Sequence, residues 1–478
     1  MSLIKNYLYN AGYQIFILII PLITVPYISR VLGSEGVGIN AYTNSMVQYF
    51  ILFGSIGLNL YGNRTIAYNR DDKKKMSQVF WEIIILKIFF ISISYLLFLV
   101  LVNLVFEEFK NYYLYQSILI LAAGIDISWL LMGIEDFKKI VIRNSLVKIV
   151  SVFLILTLVK NKEDLYIYIL IISISTFLGN LTLWPYLKKI VNKPNWKKIR
   201  IYKHLVPSLS LFLPQIATQI YLVLNKTMLG TFDGVNSSGY YENSDKLVKL
   251  VLAIVTATGT VMLPRIAHTF AQGDNKKVEI YLFRSFDFVS SLAFPMAFGL
   301  AAIAPSFSIW FFGPEFSITG ILIPLLCPVI IFIAWSNVLG TQYLLPTNQT
   351  RYYTLSVTLG ACSNLIINLF AIPNYGIYGA VFATVLSECI VTFTQIIYIK
   401  KYVNLRKLFD QKWKYCLSAT IMFLIIIYSN SFLASSFFSY ILQIIIGFII
   451  YFVLLIFFKA PILSLVKEFI KINGIKLK

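Results

Sequence analysis

Apolar runs of about 20 residues recur along the chain, and they limit its fold more than any other feature of the sequence. A helix of about 20 residues spans about 30 Å, the thickness of the hydrocarbon core of a bilayer. Inside that core every backbone N–H and C=O needs a partner within the protein, so only helices and closed barrels cross it. Because the runs are continuously apolar rather than alternating, the sequence predicts an all-α integral membrane protein.

The number of apolar runs predicts about fourteen transmembrane helices. The composition agrees, because 58% of the 478 residues are hydrophobic and 13% are charged, whereas a soluble domain has about 25% charged residues. We place the helices at 7–32, 38–62, 80–105, 114–134, 140–159, 165–187, 207–230, 241–263, 286–312, 320–345, 353–373, 378–399, 415–435 and 437–458.

The net charge of +20 is distributed unevenly over the predicted loops. With the N-terminus in the cytoplasm, the cytoplasmic segments contain 32 of the 41 Lys and Arg residues and the outer loops contain four. This bias follows the positive-inside rule, so the sequence predicts a multi-pass protein with both termini cytoplasmic and no nucleic-acid partner. We interpret the longest loop, 188–206, as an orientation signal in contact with lipid headgroups.

Short motifs recur in the same order about 200 residues apart, which indicates an internal repeat. We therefore interpret helices 1–6 and 7–12 as two parallel copies of one six-helix unit, followed by two added helices. The predicted domains are an N-lobe at 1–205, a C-lobe at 206–403, and helices 13 and 14 with a cytoplasmic tail at 404–478. The matching motifs are Arg30-Val-Leu-Gly33 with Lys226-Thr-Met-Leu-Gly230, Tyr42-Thr-Asn-Ser45 with Tyr241-Glu-Asn-Ser244, and Arg64-Thr-Ile-Ala67 with Arg265-Ile-Ala267.

Predicted helix 8 contains four charged residues, although a charge inside the membrane costs at least ~2.5–3.5 kcal/mol. Glu242, Asp245, Lys246 and Lys249 fall on one face, and they form two i,i+4 pairs of opposite charge. Two interpretations stay open. The residues form either a self-neutralising ion-pair cluster at the outer headgroup level or the wall of a hydrophilic cavity.

Other charged residues occupy positions that are related by the repeat. Arg30 ends helix 1 and Lys226 ends helix 7, and each either reaches the outer interface or faces an anionic ligand. Arg64 and Arg265 lie at the cytoplasmic ends of helices 2 and 8.

Two acids stand alone in the middle of predicted helices, Asp126 in helix 4 and Glu388 in helix 12. A carboxylate at membrane depth can carry a proton, so both are candidates for ion coupling. A hydrogen bond to a neighbouring helix is the alternative. His204 and His268 fall in loops and form no ligand cluster. The sequence contains no nucleotide, metalloprotease or hydrolase motif, which predicts no catalytic residue, no metal and no cofactor.

Several segments resemble Wzx-type polysaccharide flippases of the multidrug/oligosaccharidyl-lipid/polysaccharide superfamily. They are IPLITVPYISRVLGSEGVGINAYTNSMVQYF (20–50), LNLYGNRTIA (58–67), WLLMGIEDFKKIVIRNSLVKI (129–149), GYYENSDKL (239–247) and VMLPRIA (261–267). The resemblance implies two six-helix lobes around a cationic cavity in a bacterial cytoplasmic membrane. It also implies transport of an undecaprenyl-diphosphate-linked oligosaccharide for capsule, O-antigen or a related polymer.

The resemblance leaves the branch of the superfamily open. The alternatives are a flippase for lipid II or teichoic acid and a cation-coupled multidrug exporter. Transport can be coupled to a proton or a sodium gradient. Membrane lipids, the lipid-linked oligosaccharide, a polysaccharide polymerase and export machinery are the expected partners. For a diphosphate substrate, we expect Arg30, Lys226, Lys246 and Lys249 to bind the phosphates, Glu242 and Asp245 to hold the lysines, and Arg64 and Arg265 to receive the substrate on the inner side.

Overall fold

Helices make up most of the chain in the computed structural model. It describes residues 3–464, except for the side chains of 3–15, 198, 213–214, 217–218, 220–222 and 260–261. No strand occurs in the described residues, which confirms the predicted all-α fold class.

Nine segments of the described chain are long and apolar enough to cross a membrane, which confirms the multi-pass prediction. Two of them, Phe16–Ser55 and Thr350–Ile399, contain 40 and 50 residues, or about 60 and 75 Å of helix. These lengths are sufficient for two crossings each, and each segment contains a non-helical glycine, Gly33 or Gly376, at which the helix is interrupted. The predicted number of fourteen helices is not confirmed.

The chain divides into two units, Met1–Gly239 and Tyr240–Lys478. The three domains that the repeat suggests stay a prediction. The helices of the first unit are α1 (Leu3–Ser55), α2 (Leu58–Asn69), α3 (Lys73–Leu104), α4 (Lys110–Ile125), α5 (Ser128–Gly133), α6 (Phe137–Leu158), α7 (Leu165–Leu181), α8 (Leu187–Ile190) and α9 (Leu205–Phe232).

The core of the first unit lies where α3 packs against α2 and α5. The rings of Phe80 and Trp129 stack with centroids 5.6 Å apart, and both residues are almost fully buried. The loop that follows α8 is attached to α3 as well. Asn192 accepts a hydrogen bond from Trp81 through its carbonyl, at 2.9 Å, and donates its N–H to Ser77 Oγ at 2.9 Å.

Helix α10 (Val235–Thr256) begins in the first unit and continues into the second. The second unit also contains a π-helical stretch, Asn337–Leu344. Its further helices are α11 (Gly259–Ala271), α12 (Asn275–Phe312), α13 (Thr319–Leu326), α14 (Pro328–Ser336), α15 (Thr350–Ile399), α16 (Leu405–Phe409), α17 (Lys412–Asn430) and α18 (Phe437–Phe457).

Helices α17 and α18 pack on α12 through a buried core that includes Phe294, Met422 and Tyr451. A buried ion pair reinforces this contact. The carboxylate of Asp287 on α12 accepts hydrogen bonds from Lys412 Nζ and, at 2.9 Å, from Tyr415 OH on α17. The sequence reasoning missed Asp287, because its partners follow about 125 residues later in the chain.

Helices α3 and α12 both begin after a capping aspartate. Asp72 precedes α3 and accepts hydrogen bonds from the backbone N–H groups of Lys74 and Lys75, at 3.0 and 3.1 Å. Asp274 precedes α12 and accepts one from Lys277 N at 3.0 Å. Both aspartates therefore satisfy backbone donors that the first turn of a helix leaves unpaired.

Candidate functional site

Helix α10 has a charged face, and a hydrogen bond one turn before Asp245 joins this helix to the second half of α15. Lys246 Nζ is 2.9 Å from Glu242 Oε1, and Lys249 Nζ is 2.6 Å from Asp245 Oδ2, so both ion pairs expected from the sequence form. One helical turn before Asp245, the hydroxyl of Tyr241 makes a hydrogen bond of 2.8 Å with Thr384 Oγ1 of α15. This contact fixes the two helices side by side.

The contact between α10 and α15 brings Glu388 to the charged face. Glu388 follows Thr384 by one turn of α15, and its carboxylate lies near enough to Lys249 for the two charges to attract. Glu388 is 8% exposed, whereas the side chain of Lys249 is 45% exposed. The acid that stands alone in the sequence therefore lies within electrostatic range of the charged face of α10.

Hydrogen bonds between buried polar side chains join the part of α15 before the break at Gly376 to the part after it. Asn364 Nδ2 donates to Ser387 Oγ at 3.1 Å, and Asn368 Nδ2 donates to Asn364 Oδ1 at 3.0 Å. Gln395 Nε2 donates to Ser356 Oγ at 3.1 Å. Hydrogen bonds of this kind hold helices together where no water is available, so they fix the half of α15 that contains Glu388.

In the first unit, Asp126 lies at a break between α4 and α5 rather than in the middle of a helix. Its backbone is extended there, and its carboxylate accepts hydrogen bonds from Ser128 N, at 2.9 Å, and from Ser128 Oγ. The carbonyl of Asp126 accepts a hydrogen bond of 2.8 Å from Lys87 Nζ, which also donates to Asn59 Oδ1 at 2.7 Å. A fully buried lysine therefore occupies the break.

Arg143 extends this network from α6. It donates to Ser128 Oγ at 2.7 Å and to Asn180 Oδ1 of α7, and Asn180 Nδ2 donates to the carbonyl of Ala122 at 2.8 Å. Asp126 is thus surrounded by fixed donors and two nearby cations. This arrangement favours a hydrogen-bonded structural carboxylate, the alternative that the sequence left open, while its role in ion coupling stays a prediction.

Glu82 forms a third polar cluster, which the sequence did not indicate. Its side chain is fully buried near the start of α3, and it contacts Lys203 Nζ at 2.6 Å and His204 Nε2 at 2.9 Å. It also accepts hydrogen bonds from Arg200 N, at 2.9 Å, and from Gln78 Nε2, at 3.0 Å. Three of these partners belong to the loop 188–206, so Glu82 attaches the end of that loop to α3.

His204 is buried by the same contacts, although the sequence suggested only a loop residue. Its Nδ1 lies 2.8 Å from the hydroxyl of Tyr61 on α2. Burial lowers the pKa of His204 below its ordinary value, although the hydrogen bond to Glu82 acts in the opposite direction. A basic loop next to a single acid early in a membrane helix is the sequence signal that could have predicted this pairing.

Replacing Glu82 with alanine should lower the free energy of unfolding by about 2–4 kcal/mol, because it removes an acceptor that serves several buried donors. Thermal unfolding of the purified protein in detergent measures this change. Glu163→Ala is the matched control, since Glu163 is exposed and exposed substitutions usually change stability by less than about 0.5 kcal/mol. Equal melting temperatures for the two variants would contradict the assigned role.

The remaining predicted cations differ in exposure and in local contacts. Arg30 is exposed and precedes the break at Gly33, and Arg64 is exposed on α2. The carbonyl of Lys226 on α9 accepts a hydrogen bond of 2.6 Å from Ser238 Oγ. In the second unit, the guanidinium of Arg265 lies 4.6 Å from the centre of the Tyr281 ring.

Helix α9 packs against the part of α1 that follows Gly33, close to Lys226. Ser45 Oγ and Thr227 Oγ1 are 2.7 Å apart, and Tyr42 OH and Thr231 Oγ1 are 3.3 Å apart. Among the described residues, no group of three or more His, Cys, Asp or Glu side chains could hold a metal ion. The binding roles of all these residues stay predictions.

A family model described as "Polysaccharide biosynthesis protein" matches residues 3–270. The chain is 26% identical over 415 residues to the "Putative O-antigen transporter" of Escherichia coli (strain K12), which covers 84% of this chain and 97% of that protein. It is 22% identical over 196 residues to the "Probable low-salt glycan biosynthesis flippase Agl15" of Haloferax volcanii, 41% of either chain.

The fold is similar to that of a solved structure described as "Lipid II flippase MurJ, inward closed conformation". The TM-score is 0.79 at 17% sequence identity, and the match covers 96% of this chain and 100% of the other. At this level of identity the similarity shows a shared fold alone.

Proposed function

The chain belongs to the polysaccharide biosynthesis protein family, and from that premise we propose that it is a flippase for a lipid-linked oligosaccharide. The substrate is an undecaprenyl-diphosphate-linked repeat unit of a capsule, O-antigen or related surface polymer. It moves from the inner to the outer leaflet of the bacterial cytoplasmic membrane by alternating access. The nearly full-length match to an O-antigen transporter supports this proposal, as does the absence of enzyme motifs in the sequence.

The observation that carries a role for the site is the cluster formed by α10 and Glu388. Three carboxylates, those of Glu242, Asp245 and Glu388, face two ammonium groups, those of Lys246 and Lys249. Counting these five side chains alone, the ionised carboxylates outnumber the ammonium groups by one. For a diphosphate to bind Lys249, the carboxylate that is paired with this lysine must separate from it. The negative charge of that carboxylate must then be compensated by another group.

This charge balance links substrate binding to a cation. A proton or a sodium ion on Glu388 weakens its attraction for Lys249, and Lys249 can then bind a phosphate oxygen. Glu388 is the better of the two coupling candidates, because it is buried beside a lysine that is partly exposed, whereas Asp126 is fixed by Ser128. No catalytic step is part of this proposal.

Two alternatives belong to the same superfamily. A flippase for lipid II or for teichoic acid precursors would also need cations for a diphosphate or phosphate, but the similarity to a lipid II flippase concerns the fold alone. A cation-coupled multidrug exporter is less compatible with five charged residues at one site, because apolar drugs do not compensate for the cost of such charges.

Deletion of the gene tests the proposed function directly. We expect lipid-linked repeat units to accumulate in the cytoplasmic leaflet. The polymerase and the export machinery act after the flippase, so we expect them to receive no substrate. A plasmid-borne copy should restore export. Normal appearance of the repeat unit in the outer leaflet of the deletion strain would refute the proposal.

Replacing Glu388 with glutamine should abolish the dependence of transport on a proton or sodium gradient, because glutamine cannot be protonated or hold a cation by charge. Asp126→Asn should leave that dependence in place. Both variants are reconstituted in vesicles, and transport of a lipid-linked oligosaccharide is measured with and without each gradient. Unchanged gradient dependence in Glu388→Gln would remove the coupling proposal.

Labelling of single cysteines in intact cells tests the proposed orientation, in a variant whose four native cysteines are replaced by serine. Lys75→Cys and Lys197→Cys should react with an impermeant maleimide only after the cells are permeabilised, because the basic loops stay inside. Asp233→Cys in the outer loop 231–238 should react in intact cells. The reverse labelling pattern would show that the orientation is wrong.

A further inference from the structure

A cationic pocket at the start of α6 continues into an apolar groove between α6 and α7. The pocket has a volume of about 570 Å³ and the groove about 410 Å³, and both are lined by Leu146, Val147 and Thr182. We propose that this continuous surface binds one anionic phospholipid, with the phosphate in the pocket and an acyl chain in the groove.

The pocket has the charge that an anionic headgroup requires. Lys138, Lys139, Arg143 and Asp136 line it, which gives an excess of two positive charges. Lys139 Nζ is 2.6 Å from Asp136 Oδ2 and 4.8 Å from the centre of the Tyr186 ring, so its position is fixed. Basic pockets between helices at the cytoplasmic end of a membrane protein are suited to lipid phosphates.

The groove has the composition and length that an acyl chain requires. Apart from Ser175, Gly179 and Thr182, its lining residues are Leu, Ile and Val. It extends along α6 as far as Leu154, eleven residues beyond Arg143, which is about 16 Å of helix. The hydrocarbon core of one leaflet is about half of 30 Å thick, so the groove fits a chain that ends at the middle of the bilayer.

The contact between the two helices closes the bottom of the groove. A Cβ atom on Gly179 would lie 2.5 Å from Val147 Cγ2, which shows how closely α7 approaches α6 there. The groove is therefore a surface feature of one helix pair. The proposal depends on the chain crossing a membrane and not on its cargo, so it stands or falls independently of the flippase proposal.

Native mass spectrometry of the full chain in detergent can test the site with three probes. These are dioleoylphosphatidylglycerol, dioleoylphosphatidylcholine and undecaprenyl monophosphate. The double variant Lys138→Gln/Lys139→Gln removes the charge of the pocket, and Ser175→Trp fills the groove while the pocket stays intact. Lys188→Gln/Lys189→Gln is the matched control, because these exposed lysines carry the same charge on the nearby helix α8 but do not line either cavity.

We expect phosphatidylglycerol to bind the wild type and the control double variant equally, and to bind Lys138→Gln/Lys139→Gln about tenfold more weakly. Ser175→Trp should weaken it as well, and phosphatidylcholine should bind weakly to all forms. Gel filtration confirms that each variant is folded. Equal binding of both phospholipids, or no loss in either variant, would overturn the proposal, and so would tighter binding of undecaprenyl phosphate at the same lysines.

Discussion

Replacing Lys249 with glutamine should abolish export while the protein stays folded and inserted in the membrane. The side chain of Lys249 is 45% exposed although Asp245 binds its ammonium group, so a substrate can reach this lysine. Loss of charge-assisted hydrogen bonds to a phosphate, worth about 3 kcal/mol, corresponds to a decrease in transport of about 100-fold. Glutamine keeps the length of the side chain and removes the charge.

The measurement is the amount of lipid-linked oligosaccharide that reaches the outer leaflet, at equal protein expression. Lys276→Gln is the matched control, because Lys276 is exposed near the start of α12 and lies outside the cluster. We expect this variant to export at the rate of the wild type. An equal decrease in both variants would show a general effect of charge rather than a role of the cluster.

The same assay extends to Arg30 and Lys226. Arg30→Lys should be tolerated in part if charge alone matters, and poorly if the planar guanidinium holds a phosphate by two hydrogen bonds. Full export by the triple variant Arg30→Ala, Lys226→Ala, Lys249→Ala, at normal expression, would show that these cations do not bind the substrate and only extend to the membrane interface.

Replacing Gly38 with alanine should destabilise the first unit and stop export. A Cβ atom at Gly38 would lie 1.9 Å from the carbonyl oxygen of Val235, and one at Gly239 would lie 2.5 Å from that of Ser34. Both neighbours are backbone atoms, which cannot rotate away. The part of α1 after Gly33 and the start of α10 would therefore have to separate, and we expect a loss of about 3 kcal/mol or more.

Gly299→Ala provides the matched control, because it adds the same methyl group to a helix. A Cβ atom there would meet Met422 Cε at 3.6 Å, which is an ordinary contact. We expect the melting temperature of this variant to equal or exceed that of the wild type, since alanine favours the helix. A decrease in melting temperature for Gly299→Ala as large as that for Gly38→Ala would contradict the close approach of α1 and α10.

Much of the fold could be predicted because its signals are local. Continuous apolar runs indicated helices and a membrane location, since the bilayer leaves few other structures for such segments. The two ion pairs of α10 were predictable too, because residues four apart in a helix always face the same side. The family could be recognised from short segments between residues 20 and 267.

The breaks within helices were harder to predict. The sequence places Asp126 within one apolar segment, but α4 ends at Ile125 and α5 begins at Ser128. The buried Lys87 stabilises this break by binding the carbonyl of Asp126, and that contact joins residues 39 positions apart. The residue pattern within α4 and α5 therefore does not indicate where the break lies.

The sequence by itself determined that this chain is a helical membrane protein of the polysaccharide biosynthesis family, and which of its charged residues need a partner. Only the tertiary structure decided which partners they have. Glu388 lies within electrostatic range of Lys249, and Glu82 forms a hydrogen bond with His204 over a separation of 122 residues. The physical reason is that a charge inside the membrane must be compensated, so a charged residue within an apolar run can be recognised from the sequence as one that needs a partner. The partner itself is determined by helix packing, because packing brings together residues that are distant in the chain.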